Sequence, residues 1–321
     1  MTDTAHIPLS LERAARRRRA TVIGFGAILL WALLALFTTG AADQAGQPLP
    51  AFQLVAMTFG IAFLAALIRA LWQRARNGIA PFAAWRQRPA VWLLGAGGLF
   101  GYHFFYFTAL GHAPAIDASL ICFLWPLLIV LFSSLLPSER LTLVHVAGAA
   151  MGFAGAALIL LDRSGWSLAF DARYWVGYVA AGACAITWAG YSVLSRRFGD
   201  VPTDAVGGFC GATALLGLVA HLMLETTAMP SATGWLAIVA LGIGPVGLAF
   251  FLWDHGVKHG DIKLLGVAAY AAPLLSTLAL VVSGVARATP TLAAACLLIV
   301  GGAALAAGLF SGRKTNPSGN R

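Results

Sequence analysis

The sequence predicts an all-α integral membrane protein: ten transmembrane helices forming two inverted five-helix repeats around a central cavity, with both termini cytoplasmic. Three observations carry this prediction. The first is composition. Of 321 residues, 60% are hydrophobic and only 10% charged, with a mean hydropathy of +0.82. A soluble chain carries roughly 25% charged residues, so too little polar surface exists here to face water. The second is the distribution of positive charge, and the third is an internal echo of the first half in the second.

A span needs about twenty mostly apolar residues. That length gives ten segments: 21–41, 50–72, 90–110, 116–136, 143–161, 174–194, 204–224, 234–255, 263–283 and 291–310. The basic stretch ahead of the first (Arg13, Arg16 to Arg19) resembles the start of a signal peptide. Its apolar run, however, is longer than the roughly 7–15 residues of a signal h-region and reads as a retained helix. The organisation expected is a basic cytoplasmic segment (1–20), a first repeat (21–161), a second repeat (174–310) and a cytoplasmic tail (311–321).

Charge sets the orientation. With the N-terminus inside, 18 of the 21 Lys and Arg fall on the cytoplasmic side, and only Arg163, Arg173 and Arg287 fall outside. This is the positive-inside pattern. The net charge of +9 therefore reflects short clusters between apolar runs, and nucleic acid is not expected as a partner. Cys122, Cys184, Cys210 and Cys296 lie apart in apolar runs. They lack metal-ligand spacing and read as small packing residues.

Shifted by 146, Gly98, Gly101, Phe104 and Phe105 fall on Gly244, Gly247, Phe250 and Phe251. Shifted by 147, Pro126-Leu127-Leu128 falls on Pro273-Leu274-Leu275, and Arg140 falls on Arg287. Trp31 in the first helix has a counterpart in Trp188 in the sixth. Five helices per half is odd, so the second half enters the bilayer from the opposite side. Secondary carriers share that plan, with a midplane site between repeats.

Pro137-Ser138-Glu139-Arg140-Leu141-Thr142, followed by Gly148, Gly152 and Gly155, resembles the helix 4–5 junction of the drug/metabolite transporter superfamily (EamA-type, ten-helix). Ala109 through Leu128 resembles that family's helices 3–4, and Trp188-Ala189-Gly190-Tyr191 its helix 6. The similarity runs from about Thr21 to Phe310, and within the superfamily it is closest to the aromatic amino acid exporters. Ala32 follows Trp31 where the family commonly has Gly or Ser. The resemblance implies a secondary transporter that exports amino acids, aromatic ones prominent, by alternating access in the bacterial inner membrane. A carrier for other neutral metabolites or drugs, or a non-transporting receptor or channel, stays open.

Depth sorts the ten tryptophans. Trp72, Trp85, Trp92, Trp166, Trp175, Trp235 and Trp253 lie near predicted helix ends, where an aromatic belt is expected. Trp31, Trp125 and Trp188 lie deeper, where an indole N–H needs a protein or cavity partner. Tyr102 and Tyr106 share one face of helix 3, with His103 beside them. A histidine at that depth is a functional candidate, expected uncharged and donating a hydrogen bond to cargo. Tyr191, Tyr270 and Ser276 complete the candidate substrate-binding set. Pro126 and Pro273 are candidate kinks that free backbone carbonyls.

Several classes are disfavoured. No carboxylate occupies a predicted helix centre, unlike a pump for cationic drugs. The spacing around Gly-Arg-Lys-Thr at the C-terminus is not that of a P-loop, so no ATP-hydrolysing subunit is expected. No metalloprotease, aspartate-rich or Ser-His-Asp pattern at plausible depth suggests an enzyme, and no cofactor is implied. The partners expected are lipid and a small-molecule substrate, with a monomer as the simplest assembly.

Overall fold

The computed structural model describes residues 9–78, 80, 82–137, 139–168, 170–282 and 287–307. Among these residues, nine helices are long and apolar enough to cross a membrane. We label them α1 (Leu11–Gly40), α2 (Ala51–Asn77), α3 (Pro89–His112), α4 (Ala115–Leu135), α5 (Leu143–Arg163), α6 (Ala172–Phe198), α7 (Ala205–Leu224), α8 (Ala232–His259) and α9 (Ile262–Ala279). A shorter apolar helix, α10 (Pro290–Ala306), follows. The expected tenth span ran to residue 310, and its last residues lie outside the described ones.

Backbone groups that the helix ends leave unpaired find specific partners. The hydroxyls of Ser231 and Thr289 and the carboxylate of Asp261 accept from Gly234 N, Leu292 N and Leu264 N at the starts of α8, α10 and α9. At the start of α2 the cap comes from another helix end: Glu225 accepts from Phe52 N and Gln53 N. Gly78, with φ +67°, closes α2 in the left-handed conformation.

Four helices depart from regularity. α1 is interrupted at Leu33. α4 breaks into a turn at Phe123–Leu124, just before Pro126, and α9 does so at Ala269–Tyr270, before Pro273. α8 contains a π-helical turn, Gly244–Leu248, with Pro245 at its start.

Packing follows small residues. α5 lies along α10, α2 along α7, α3 along α6 and α1 along α8, and α4 meets α9. A Cβ at Gly148 would stand 2.6 Å from Gly302 O, and one at Gly211 would stand 2.7 Å from the Phe63 ring. Gly148 and Gly211 therefore serve close helix contact within the chain. Gly97 is different, since a Cβ there would meet only Leu93 of its own helix.

Candidate functional site

The tryptophans form one group. Trp31 of α1, Trp125 of α4, Trp188 of α6 and Trp253 of α8 are mutually in contact. Trp31 stands 6.2, 5.8 and 5.0 Å from the rings of the other three. Trp125 lies 5.9 Å from Trp253, and Trp188 lies 6.3 Å from each of Trp125 and Trp253. Most meet edge-on, the arrangement that ring quadrupoles favour. Phe250 packs on Trp31 and Trp188 and stacks on Phe59.

Trp253 corrects the belt assignment, because it is fully buried at the heart of this group. Its indole N–H donates to the Ser192 hydroxyl at 3.0 Å. Its counterpart in Trp31 donates to the Pro245 carbonyl at 3.1 Å, inside the π-turn. π-Turns release carbonyls from the regular ladder, and here one is used to orient a ring. Trp85 and Trp92 are half-buried against α7, whereas Trp72, Trp166, Trp175 and Trp235 are exposed, as a belt requires.

The α3 residues continue the group. Tyr102 contacts Trp188 at 5.3 Å and stacks on Tyr106 at 6.1 Å. His103 sits edge-on to Phe59 at 5.1 Å and to Tyr102 at 5.2 Å. Its Nδ1 lies 2.8 Å from Leu99 O, one turn back. A carbonyl can only accept, so Nδ1 carries the proton, and a neutral ring then offers Nε2 as an acceptor. That reverses the expected role, in which the imidazole donated to cargo. Tyr191 adjoins Trp188 at 5.2 Å, and its hydroxyl is buried without a hydrogen-bond partner of acceptable geometry.

Tyr270, Ser276 and Pro273 of α9 fall elsewhere. Tyr270 is fully buried away from the tryptophans, against Phe153 and Gly152 on α5. Its hydroxyl accepts from Leu127 N at 3.1 Å, an amide released by the break in α4. Ser276 and Pro273 are half-buried on the later part of α9, and Pro126 is buried next to Trp125.

Three charged residues near helix ends, Glu139, Arg196 and Lys263, are bonded together and largely buried. Glu139 contacts Arg196 and Lys263 at 3.0 Å and Arg17 at 3.4 Å, with its own side chain 4% exposed. Arg17 also reaches Asp261 at 3.0 Å. These contacts join the ends of α1, α6 and α9 to the α4–α5 connection. At the opposite end, His221 bridges Glu225 and Thr227.

The model of the EamA-like transporter family matches twice, over residues 19–161 and 175–308. The chain belongs to the EamA-like transporter family. It is a multi-pass membrane protein and a transporter, not an enzyme. A relative from Ancylobacter novellus, "Aromatic amino acid exporter YddG", is 53% identical over 292 residues, covering 90% of this chain and 97% of its own. A protein of the same name from Escherichia coli is 24% identical, covering 81% and 87%. A "Probable terminal-alkyne amino-acid exporter" from Streptantibioticus cattleyicolor is 27% identical, covering 59% and 62%. A crystal structure 52% identical in sequence superposes with a TM-score of 0.83, covering 91% of this chain and 99% of that one.

Proposed function

We propose that this chain exports amino acids, aromatic ones prominent, across the bacterial inner membrane by alternating access. The observation that carries this reading is the convergence of Trp31, Trp125, Trp188 and Trp253 from four helices, extended by Tyr102, His103 and Tyr106. Aromatic walls with a few polar groups suit a flat, largely apolar, net-neutral solute. The names carried by three relatives point the same way. In this reading Trp31, Tyr102, His103, Tyr106, Trp125, Trp188 and Tyr191 line the transport path, joined by Trp253. Tyr270 and Pro126 brace the crossing of α4 and α9.

The same reading takes α1–α5 and α6–α10 as inverted repeats, with both termini cytoplasmic. Support comes from the contact pattern. Exchanging the halves carries α1–α8 onto α6–α3, α1–α9 onto α6–α4 and α2–α8 onto α7–α3, all of which are in contact. The pairs α2–α7, α4–α9 and α5–α10 map onto themselves. The helix breaks at Phe123–Leu124 and Ala269–Tyr270 are offset by 146 residues (269 − 123), within one residue of the 147 that relates the neighbouring Pro126 and Pro273. Reporter fusions test the orientation: a cytoplasmic signal from Gln73 and an external one from Gln44 and Thr226 are expected.

Counterflow into proteoliposomes tests the activity. Vesicles preloaded with unlabelled phenylalanine should accumulate labelled phenylalanine transiently and saturably. Flux that rises linearly with concentration would indicate a channel instead.

A further inference from the structure

Next to Trp253 on α8, Asp254 and Lys258 form an ion pair at 2.9 Å, with side chains 1% and 3% exposed. Both reach the connection between α6 and α7: the Thr203 hydroxyl donates to Asp254 at 2.8 Å, and Lys258 Nζ donates to Val201 O at 3.0 Å. Beside the pair lies a small cleft with a volume of about 10 Å³. Tyr191, Ser195, Phe198 and Phe209 line it together with the pair. The Tyr191 hydroxyl is buried there with no partner of acceptable geometry, although Ser195 lies one turn along on the same wall.

Tethering a loop requires neither two buried charges nor an unpartnered hydroxyl. Desolvating an ion pair typically costs more than its Coulomb attraction returns, and an orphaned buried hydroxyl adds to that cost. One negative group, one positive group and a weakly engaged phenolic O–H beside aromatic rings match the headgroup of a zwitterionic α-amino acid. The cleft also lies at the Lys- and Arg-rich end of the bundle, the end from which an exporter draws its cargo.

We infer that Asp254, Lys258 and Tyr191 form a headgroup site for zwitterionic α-amino acids on the cytoplasmic side of the tryptophan group. The cargo ammonium replaces Lys258 at the Asp254 carboxylate. The cargo carboxylate accepts from Lys258 Nζ and the Tyr191 hydroxyl, and its side chain lies toward Phe198 and Phe209. Filling the site requires the direct Asp254–Lys258 contact to open, because a volume of about 10 Å³ holds no more than a water. This inference rests on the amino-acid reading above.

The test is competition against labelled phenylalanine counterflow by phenethylamine, which lacks the carboxylate, and by 3-phenylpropionate, which lacks the ammonium. The wild type should favour phenylalanine over each analogue by about tenfold or more, because each leaves a charged partner unmatched. Asp254→Asn should shift the ranking toward the acid, and Lys258→Gln should shift it toward the amine. Tyr191→Phe gives up at most a weak contact with Ser195, so its stability should change little while half-saturation rises about fivefold. A merely structural ion pair would change rates or stability without reordering the analogues. An unchanged ranking in the charge variants, or equal competition by all three compounds in the wild type, overturns the site while leaving the transport reading intact. Should the charge variants fail to accumulate, Tyr191→Phe decides alone, and unaltered half-saturation overturns the site. If the wild type carries no zwitterionic amino acid, the parent reading itself fails.

Discussion

The indole N–H of Trp253 donates to the hydroxyl of Ser192 at 3.0 Å, linking α8 to α6 in the most buried part of the bundle. Both groups are sealed from solvent, so neither has water as a substitute. Ser192→Ala should strand the indole donor and lower stability by about 1–3 kcal/mol. Trp253→Phe removes the donor as well, so the double variant should be less destabilised than the sum of the two single variants. Thermal unfolding in detergent of all four proteins measures the coupling, and strict additivity would show that the bond contributes nothing.

If the tryptophan group binds cargo, removing Trp125 or Trp188 should cut aromatic amino acid counterflow several-fold in protein that still accumulates. Trp166, 57% exposed on a connection, provides the contrast, and Trp166→Ala should do much less. Core truncation of an aromatic costs about 3–5 kcal/mol in itself. Trp125→Phe and Trp188→Phe therefore accompany the alanine variants as gentler probes. Equal behaviour of all these variants and Trp166→Ala would show that ring depth does not report a site.

Glu139 provides a test of the charged cluster. Glu139→Gln leaves Arg196 and Lys263, both largely buried, facing a neutral amide, and removing one partner of a buried pair costs about 3–5 kcal/mol. Arg17 is 46% exposed in its side chain, so Arg17→Gln should cost only about 0–1 kcal/mol. Melting temperatures of the two variants should separate clearly. Equal, small shifts would mean that Glu139 is better hydrated than its 4% exposure suggests.

What the sequence made legible follows from physics that acts locally. Apolar runs must be long enough to cross lipid, so the nine span-length helices among the described residues could be read from length alone. Trp253 was misplaced because its depth was judged from the end of its own helix. α8 spans 28 residues and contains a π-turn, so a residue near its end still lies level with Trp31. Glu139 was unreadable as a hub for another reason: its partners Arg17 and Lys263 are each more than 120 positions away in sequence. Tyr270, which packs on α5 apart from the tryptophans, shows the same limit, since helix periodicity does not say which neighbour a face will meet. The aromatic spacing on α3 could be read, because Tyr102 and Tyr106 share a face through helix geometry alone.

His103 gives the sharpest test of how cargo is held. Its Nδ1–H is committed to Leu99 O at 2.8 Å, which leaves Nε2 as the atom able to meet a ligand. In a neutral ring that atom accepts, so it would take a hydrogen bond from an N–H donor passing along the transport path. The two amide replacements then cease to be equivalent. The amide of glutamine reaches the position of Nε2, so His103→Gln preserves an acceptor there and should retain substantial counterflow. The shorter asparagine reaches only the position of Nδ1 and can replace the bond to Leu99, so His103→Asn should lose most of its transport. His103→Leu, which has neither group, should fall at least as far. Transport should also persist without an imposed pH gradient, since an acceptor role needs no proton to move. A strict requirement for the gradient, with Gln and Asn both inactive, would instead assign proton transfer to His103.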